Sequence, residues 1–564
     1  MSTTLPPADV PVLQDWVPLT QCLDWQLGQI AFQRRGAQAF TSHEVPNLIN
    51  QGGLSALRTG EVLFAHCREL DEAGALEPEI AVLELGMGLG LHALQVLDRF
   101  QALCAAEGKD YYQRLTLYAT DGTPQVLLDA RDRQVFARHP GRVVLGLANA
   151  LDPCHVTRID DGEAIDLTGR LRAVLHTYLL CVLPANVYRW RTADDQWAVL
   201  MARTVLRHPE ALGQFSHLDV PALHALAAAE DPLEKLPLVP LFPLIDLDLA
   251  LGELAIDALV EAPEVRAAGA VLRTALPDEA ELWVLHSAGA LRCLARTLEA
   301  LRPDGYVQYR DYGPASAERA NNSHLYQHYG PTTATGIAHF AIDPWLAGQG
   351  AEVTVPPEEG EAHIKTRLVS RAPLPATRAA FVERFAPTAF AQLEQAVALA
   401  RGQVAQPAQA LEAYRQALQL ERDNWLLLAE AGAVALRQAQ QLELAQVLLN
   451  ESLRIHPWNA EVWNDLGDLH WAQDRPGPAT EAYRRAVTCH PEDARGWLNL
   501  AECAGRQGDW AQVLELSARA LACDADGSYA ERSGRAITEA ARQLQQRREL
   551  ATRWRKERQA GAPR

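Results

Sequence analysis

The chain has 564 residues, with 52 basic and 71 acidic side chains giving a formal charge of −19. That length exceeds a single hydrophobic core, so two to four domains are expected, and 48% apolar content excludes a disordered or fibrous chain. The acidic balance argues against a surface built mainly to grip phosphate backbones, and the basic stretch from Arg547 to Arg564 reads as a solvated helix end.

The first residues, Met1-Ser-Thr-Thr-Leu-Pro-Pro, lack the basic start and apolar core of a secretory signal. The most apolar stretch, Leu236 to Leu251, is broken by Pro237, Pro240 and Pro243 and charged by Asp246 and Asp248, so no membrane span is expected. Nine cysteines form no CxxC pair, which suits a reduced, cytoplasmic setting. From about 12 to 70, Trp16, Leu23, Leu27, Ile30 and Phe32 recur near helical spacing, and residues 1–75 are read as an N-terminal helical region.

From about 76 to 370 short β-type runs alternate with amphipathic segments, predicting an α/β fold with a largely parallel sheet. Its first strand, Ala81-Val-Leu-Glu-Leu85, ends beside Glu84 and runs through Gly86, Gly88 and Gly90 straight into a helix. Glycine there lets backbone approach a ligand closely. Such a turn also serves nicotinamide and flavin sites. The carboxylate of Glu84 tilts the choice, because it suits an ammonium group and would repel a pyrophosphate. The second strand, Leu115 to Asp121, ends in an acid that can accept hydrogen bonds from ribose hydroxyls. The third leads to Asn149 and Ala150, where an adenine edge would be read. Together these predict binding of S-adenosylmethionine and its product S-adenosylhomocysteine.

A fourth strand, Ala173 to Leu180, carries His176 and Tyr178, and a fifth, Tyr306 to Gly313, carries Asp311 and Tyr312. Strand ends in an open α/β sheet face the ligand crevice, so these four side chains are the candidate catalytic groups. The bland readings are a core aromatic for Tyr178 and a turn cap for Asp311. Residues from about 190 to 280 are read as a helical, Leu/Ala-rich substrate insertion. The string Tyr309 to Tyr312 with His324 and His328 is dense enough in polar aromatics for a substrate-contacting lid. His324 and His328 lack a third ligand, so no metal site is expected.

A Pro-rich hinge and connecting helix are placed over 371–404, followed by a periodic helical region, 405–564. His456-Pro457 with Trp463, Leu466 and Gly467 recurs 34 residues later as His490-Pro491 with Trp497, Leu500 and Ala501. Ala479, Tyr483 and Ala486 supply the small and aromatic packing positions, echoed upstream by Ala410, Tyr414 and Ala417. That period is the mark of tetratricopeptide (TPR) repeats. About three units and a capping helix from Ala530 are expected, stacking around a concave groove.

The α/β part resembles the MidA-like methyltransferases at Glu84–Gly90, at the long first helix, at Leu183-Pro184 and at Asp311-Tyr312-Gly313. The N-terminal segment and the C-terminal repeats are also similar to a group of bacterial methyltransferase–TPR proteins. The resemblance implies a class I Rossmann-like fold and methylation of a side-chain nitrogen in a protein or ribosomally made peptide, an arginine guanidinium or an asparagine carboxamide. One departure stands out: relatives carry an acid ahead of the Leu-Pro, whereas this chain has His176, Tyr178 and Cys181 with no acid between. Two other classes stay open: a chemically silent binding or assembly protein, and a small-molecule methyltransferase whose repeats drive homo-oligomerisation. The TPR groove is the expected dock for a protein or peptide substrate, with no nucleic acid or membrane partner.

Overall fold

The computed structural model describes residues 10–36, 38–41, 53–322, 327–329, 332–357, 364–386, 388–403, 405–524 and 527–560. The chain forms two compact units, Met1–Asn50 with Ser55–Thr388, and Gln51–Leu54 with Ala389–Arg564.

In the first unit, strand β1 (Val12–Pro18) is followed by β2 (Ile80–Leu85), β3 (Leu115–Asp121), β4 (Val143–Asn149), β5 (Asp152–Arg158), β6 (Ala164–Asp166) and β7 (Leu171–Thr177). Next come β8 (Asn186–Arg191), β9 (Gln196–Leu206), β10 (Ile245–Leu254), β11 (Glu281–His286) and β12 (Leu301–Tyr312), then β13 (Gln327–Tyr329), β14 (Thr332–Ala334), β15 (Glu352–Thr354) and β16 (Ile364–Ser370). The main sheet runs β15-β16-β12-β7-β2-β3-β4-β5-β6. Strands β4, β3, β2, β7 and β12 are mutually parallel, while β16 lies antiparallel between β12 and β15. Counted along the chain from β2, and leaving aside the β5–β6 extension, the order is 3-2-1-4-5-7-6 with the seventh strand reversed. That is the class I methyltransferase arrangement; the dinucleotide-binding order lacks the inserted reversed strand.

The six residues of β2 are all buried, as a strand covered on both faces must be. On one face Val82, Leu175 and Tyr306 pack against Phe64, Phe100 and Phe381. On the other, Leu83, Val174, Val307 and Tyr309 pack against Leu294, Leu298, Ile342 and Leu346. At the amino end of the sheet, the buried Arg172 guanidinium is paired with Glu77 and Asp304.

Two expectations for this unit are corrected. The segment over 190–280 is helical only in part: β9 and β10 pair in an antiparallel sheet there, over the whole length of β10, with β8 and β11 at the segment's two ends adding to the same sheet. The period-two alternation Ile245-Asp-Leu-Asp-Leu249 carried this information, and the Leu/Ala content obscured it. The helices Leu212–Phe215, Val220–Ala227 and Ala262–Ala275 and the 3-10 segment Pro232–Leu244 make up most of the helical part of the segment. The N-terminal region is also not wholly helical, because Val12–Pro18 forms strand β1 against β9, whose residues lie 183 to 193 positions further along the chain. Among the described residues, the helices Leu23–Arg35 and Leu54–Glu72 and the short Gln38–Thr41 fit the periodic reading.

The hinge expected over 371–404 is divided between the units. The helix Pro375–Arg384 belongs to the first, where Phe381 enters the core and the Thr377 hydroxyl donates to Glu69 Oε2 at 2.6 Å and lies 3.0 Å from His66 Nδ1. The helix Thr388–Gly402 instead pairs with Pro407–Leu420, through Ala400 against Ala410, Ala413 and Tyr414. The second unit continues as Trp425–Arg437 with Leu442–Ile455, Ala460–Ala472 with Pro476–Cys489, and Ala494–Arg506 with Trp510–Cys523. The long helix Ala530–Ala560 follows. Thus one more helix pair is present among the described residues than the three units expected from periodicity.

The repeat is physical as well as textual. Trp463 and Trp497 each donate their indole N–H, at 2.7 Å, to the carbonyl of the proline six residues earlier, Pro457 and Pro491. Asn424, Asn459 and Asp493 cap successive helices with their side chains. At Gly467 a Cβ would lie 2.3 Å from the Tyr483 ring, so only glycine lets the paired helices close. Asp465 bridges Arg437 and Arg495 on the flanking helices.

Candidate functional site

The parallel strands end together: Leu85 pairs with Thr120 and with His176, Asp121 with Leu147, and Tyr309 with His176. The carboxyl ends of β2, β3, β4, β7 and β12 therefore share one edge, and every candidate residue lies at or just beyond it. This is where open α/β sheets bind ligands.

The turn after β2 is built on positive backbone angles, φ 70° at Gly86, 52° at Gly88 and 74° at Gly90. A residue with a Cβ in this region costs roughly 1–2 kcal/mol each time. Close approach adds to that: a Cβ on Gly88 would lie 3.1 Å from the Phe40 ring. The turn is pinned to β3, with Met87 N–H donating to the Thr120 carbonyl at 2.9 Å and Gly88 N–H to Asp121 Oδ2 at 3.2 Å. Gly90 caps the helix Leu91–Ala106 with no side-chain acceptor.

Glu84 is 2% exposed, and its Oε1 meets His92 Nδ1 at 2.7 Å. Its Oε2 is buried with no hydrogen-bond partner among the described residues. A buried acceptor left unmet costs about 1–3 kcal/mol, so this oxygen marks a place where a donor is wanted. His92 escaped the sequence reading; the available signal was a polar residue one step inside a helix whose first turn is otherwise apolar.

Asp121 is buried and accepts from Thr123 N–H at 2.9 Å besides Gly88. Burial pushes its carboxyl up to about 6, against the opposing pull of these N–H groups. Asn149 is exposed at the end of β4, where its Oδ1 accepts Leu151 N–H at 2.9 Å, and Ala150 is half-buried against the core.

His176 is the second-to-last residue of β7, 2% exposed, with neither ring nitrogen hydrogen-bonded among the described residues. Burial alone holds its pKa down to about 3, so the ring is neutral at ordinary pH. Side chains alternate along a strand, so His176 shares the Val174 face while Glu84 shares the opposite, Val82 face. Tyr178 takes φ 52°, a left-handed conformation costing about 1–3 kcal/mol for a bulky residue, and its N–H donates to the Arg310 carbonyl at 3.0 Å. Its ring lies 6.3 Å from that of Tyr312. Asp311 is fully buried: Oδ2 accepts Cys181 N–H at 3.1 Å and Oδ1 accepts Tyr312 N–H at 2.9 Å. Burial pushes its carboxyl up to about 6. The carboxylate thus ties the loop after β7 to the end of β12, which is the turn-capping role. That loop also reaches the glycine turn, since a Cβ on Gly86 would lie 3.1 Å from Leu179.

Among the described residues no group of three His, Cys, Asp or Glu side chains could hold a metal. His324 lies outside the described residues, as does the side chain of His328 in β13. Among the described residues no helix is long and apolar enough to cross a membrane. The first seven residues and the end of the basic tail also lie outside the description.

The Tetratricopeptide repeat family profile matches residues 460–503. No curated protein matches the sequence. Among solved structures, the chain is similar to a COG1565 superfamily member from Burkholderia thailandensis, a suggested methyl transferase bound to S-adenosyl-homocysteine. The identity is 16%, over 63% of this chain and 88% of that one, with a TM-score of 0.39. MamA protein is 17% identical over 29% of this chain and 89% of its own, with a TM-score of 0.25. The Sgt2 TPR domain from Aspergillus fumigatus is 17% identical over 22% of this chain and 82% of its own, at 0.21.

Proposed function

We propose that the first unit is an S-adenosylmethionine-dependent methyltransferase and that the TPR unit captures its protein or peptide substrate. The observation that carries the reading is the unmet Glu84 Oε2 beside a three-glycine turn, at the crevice edge of a 3-2-1-4-5-7-6 sheet. A buried carboxylate oxygen suits the ammonium of the donor's amino-acid end. Asp121 is placed for the ribose hydroxyls, with Gly86, Gly88 and Gly90 admitting the donor's backbone-like portion. Asn149 and Ala150 border the adenine.

When bound, the donor supplies an electrophilic methyl group on sulfonium. The chain's own groups must orient a nitrogen and dispose of one proton as the N–C bond forms and the S–C bond breaks. His176 is neutral and unpartnered, so it can accept that proton. Tyr178 and Tyr312 flank the same strand ends and suit orientation of the nitrogen. Asp311 is a positioning residue, holding the loop that carries Tyr178. A carboxamide or guanidinium nitrogen of asparagine or arginine is the proposed acceptor class, and the absence of an acid between His176 and Leu183 favours the carboxamide.

Calorimetry of the purified chain should show one site for S-adenosylhomocysteine and none for a nicotinamide dinucleotide; the reverse pattern sinks the reading. Donor binding with no methylated product from any protein or peptide pool would favour the silent assembly role, and transfer to small amines alone the natural-product role.

A further inference from the structure

Beside the crevice lies a cavity of about 160 Å³ with apolar walls that include Val271, Leu291, Ala341, Ile342 and Trp345. Two buried polar side chains line it, and of these Ser287 Oγ already accepts Ala338 N–H at 3.4 Å. His286, at the end of β11, is 3% exposed, and neither ring nitrogen has a hydrogen-bond partner among the described residues. Burial holds its pKa down to about 4, so the ring is neutral near pH 7 and offers one donor and one acceptor. Glu264 is the charged residue of the lining, which disfavours an anionic occupant.

The cavity's position follows from the topology. The helix Ala288–Ala300 begins where β11 ends and runs back to feed β12, so its start lies at the crevice edge. There Gly289 N–H donates to the Pro184 carbonyl at 2.7 Å, joining the cavity wall to the loop after β7. On the other side, Ile337 N–H donates to the Tyr312 carbonyl at 3.0 Å, just before the helix His339–Gly348 that supplies Ile342 and Trp345. Both walls are thus bonded to the segments that carry the candidate catalytic residues.

We infer that this cavity is a recognition pocket for an aromatic side chain of the substrate that carries one neutral hydrogen-bonding group, tyrosine-like, next to the methylated residue. Its identification as a substrate pocket rests on the methyl-transfer reading; its ligand chemistry does not. A cavity of roughly 150 Å³ accepts a benzene ring, so a volume of about 160 Å³ fits a phenol. A purely apolar ring would leave the imidazole unmet, whereas a phenol hydroxyl can donate to one ring nitrogen or accept from the other.

The experiment uses the full chain with p-cresol as probe and toluene as its near-isosteric control. In a ¹³Cε1-histidine spectrum, p-cresol should shift the His286 resonance saturably, with at least ten-fold tighter binding than toluene. His286→Leu should erase that preference, and Ala341→Leu, which fills the cavity and spares the imidazole, should block both ligands. Equal affinities, no binding, or an unmoved His286 resonance at saturation overturns the pocket. S-adenosylhomocysteine calorimetry on the same sample separates the two ideas: p-cresol binding without it retains the pocket and removes methyl transfer.

Discussion

At the residue scale the glycine turn is the most constrained feature of the site. Gly88→Val introduces a β-branched side chain at φ 52° and against the Phe40 ring, so both strain and overlap oppose it. The expected loss of S-adenosylhomocysteine affinity is at least about 100-fold, equal to roughly 2.8 kcal/mol. Circular dichroism should show the secondary structure retained, because the change sits in a turn. Retained affinity would remove the turn from the site.

Asp121 gives a pH signature. Its folded pKa, about 6, lies above the ordinary carboxyl value because the group is buried. Between pH about 4 and 6 the folded chain holds a proton that the unfolded chain has lost, so this group's contribution to stability falls as pH rises through that window. Donor binding runs the other way if the ribose hydroxyls bond to the charged form. Affinity for S-adenosylhomocysteine should weaken several-fold from pH 7.5 to pH 5. Asp121→Asn should flatten the profile and, with Asp311 still titrating near 6, separate the two carboxylates. A wild-type profile without an inflection near 6 would contradict the assignment.

His176→Gln tests the proton acceptor. It keeps polarity and approximate size but cannot take up a proton, so kcat should fall by about 100-fold while donor affinity changes little. Equal losses in both would make His176 a packing residue. The neutral imidazole follows from burial, which one could not read from a single letter in the sequence.

At the element scale, the two sheets differ in how openly the chain declares them. β2 announces itself as an unbroken apolar run, because both its faces are covered. β9 and β10 share Leu and Ala with helices, and their pairing depends on partners 39 to 57 positions apart in the chain. Strand β1 is harder still, since Val12 finds Val205. Single-chain periodicity contains no record of such a distant partner. The solenoid declares itself by repetition, and Gly467 is the point where spacing becomes packing. Gly467→Ala drives a methyl group into the Tyr483 ring, so overpacking should cost about 1–3 kcal/mol. Differential scanning calorimetry should show the loss in the transition of the second unit, with S-adenosylhomocysteine affinity unchanged. An unshifted transition would mean the helix pair opens without penalty.

At the scale of the whole molecule, the sheet and its site are complete within the first unit, and the TPR helices lie in the second. A chain ended before Pro407, which removes most of the solenoid, should bind S-adenosylhomocysteine within about two-fold of the full chain and weaken capture of a full-length substrate. Tethering raises the local concentration of a reacting segment to the order of millimolar for a short flexible connection, so the loss should appear in KM before kcat. A truncated chain that aggregates, or methylates the full substrate at an undiminished rate, would favour a brace or a dimer contact.

By itself the sequence determined the glycine turn, the acids at the ends of β2 and β3, and the 34-residue period. Each is local, because a turn, a strand end and a repeat are written in residues that are neighbours or recur at fixed spacing. Tertiary structure alone decided that Glu84 Oε2 is left unmet, that Asp311 is occupied by Cys181 N–H, and that His286 faces an apolar cavity. These depend on desolvation and on partners brought close only when the chain closes. The same closure paired 196–206 with 245–254 as strands β9 and β10, because a strand's hydrogen bonds are satisfied by another strand, whereas a helix satisfies its own.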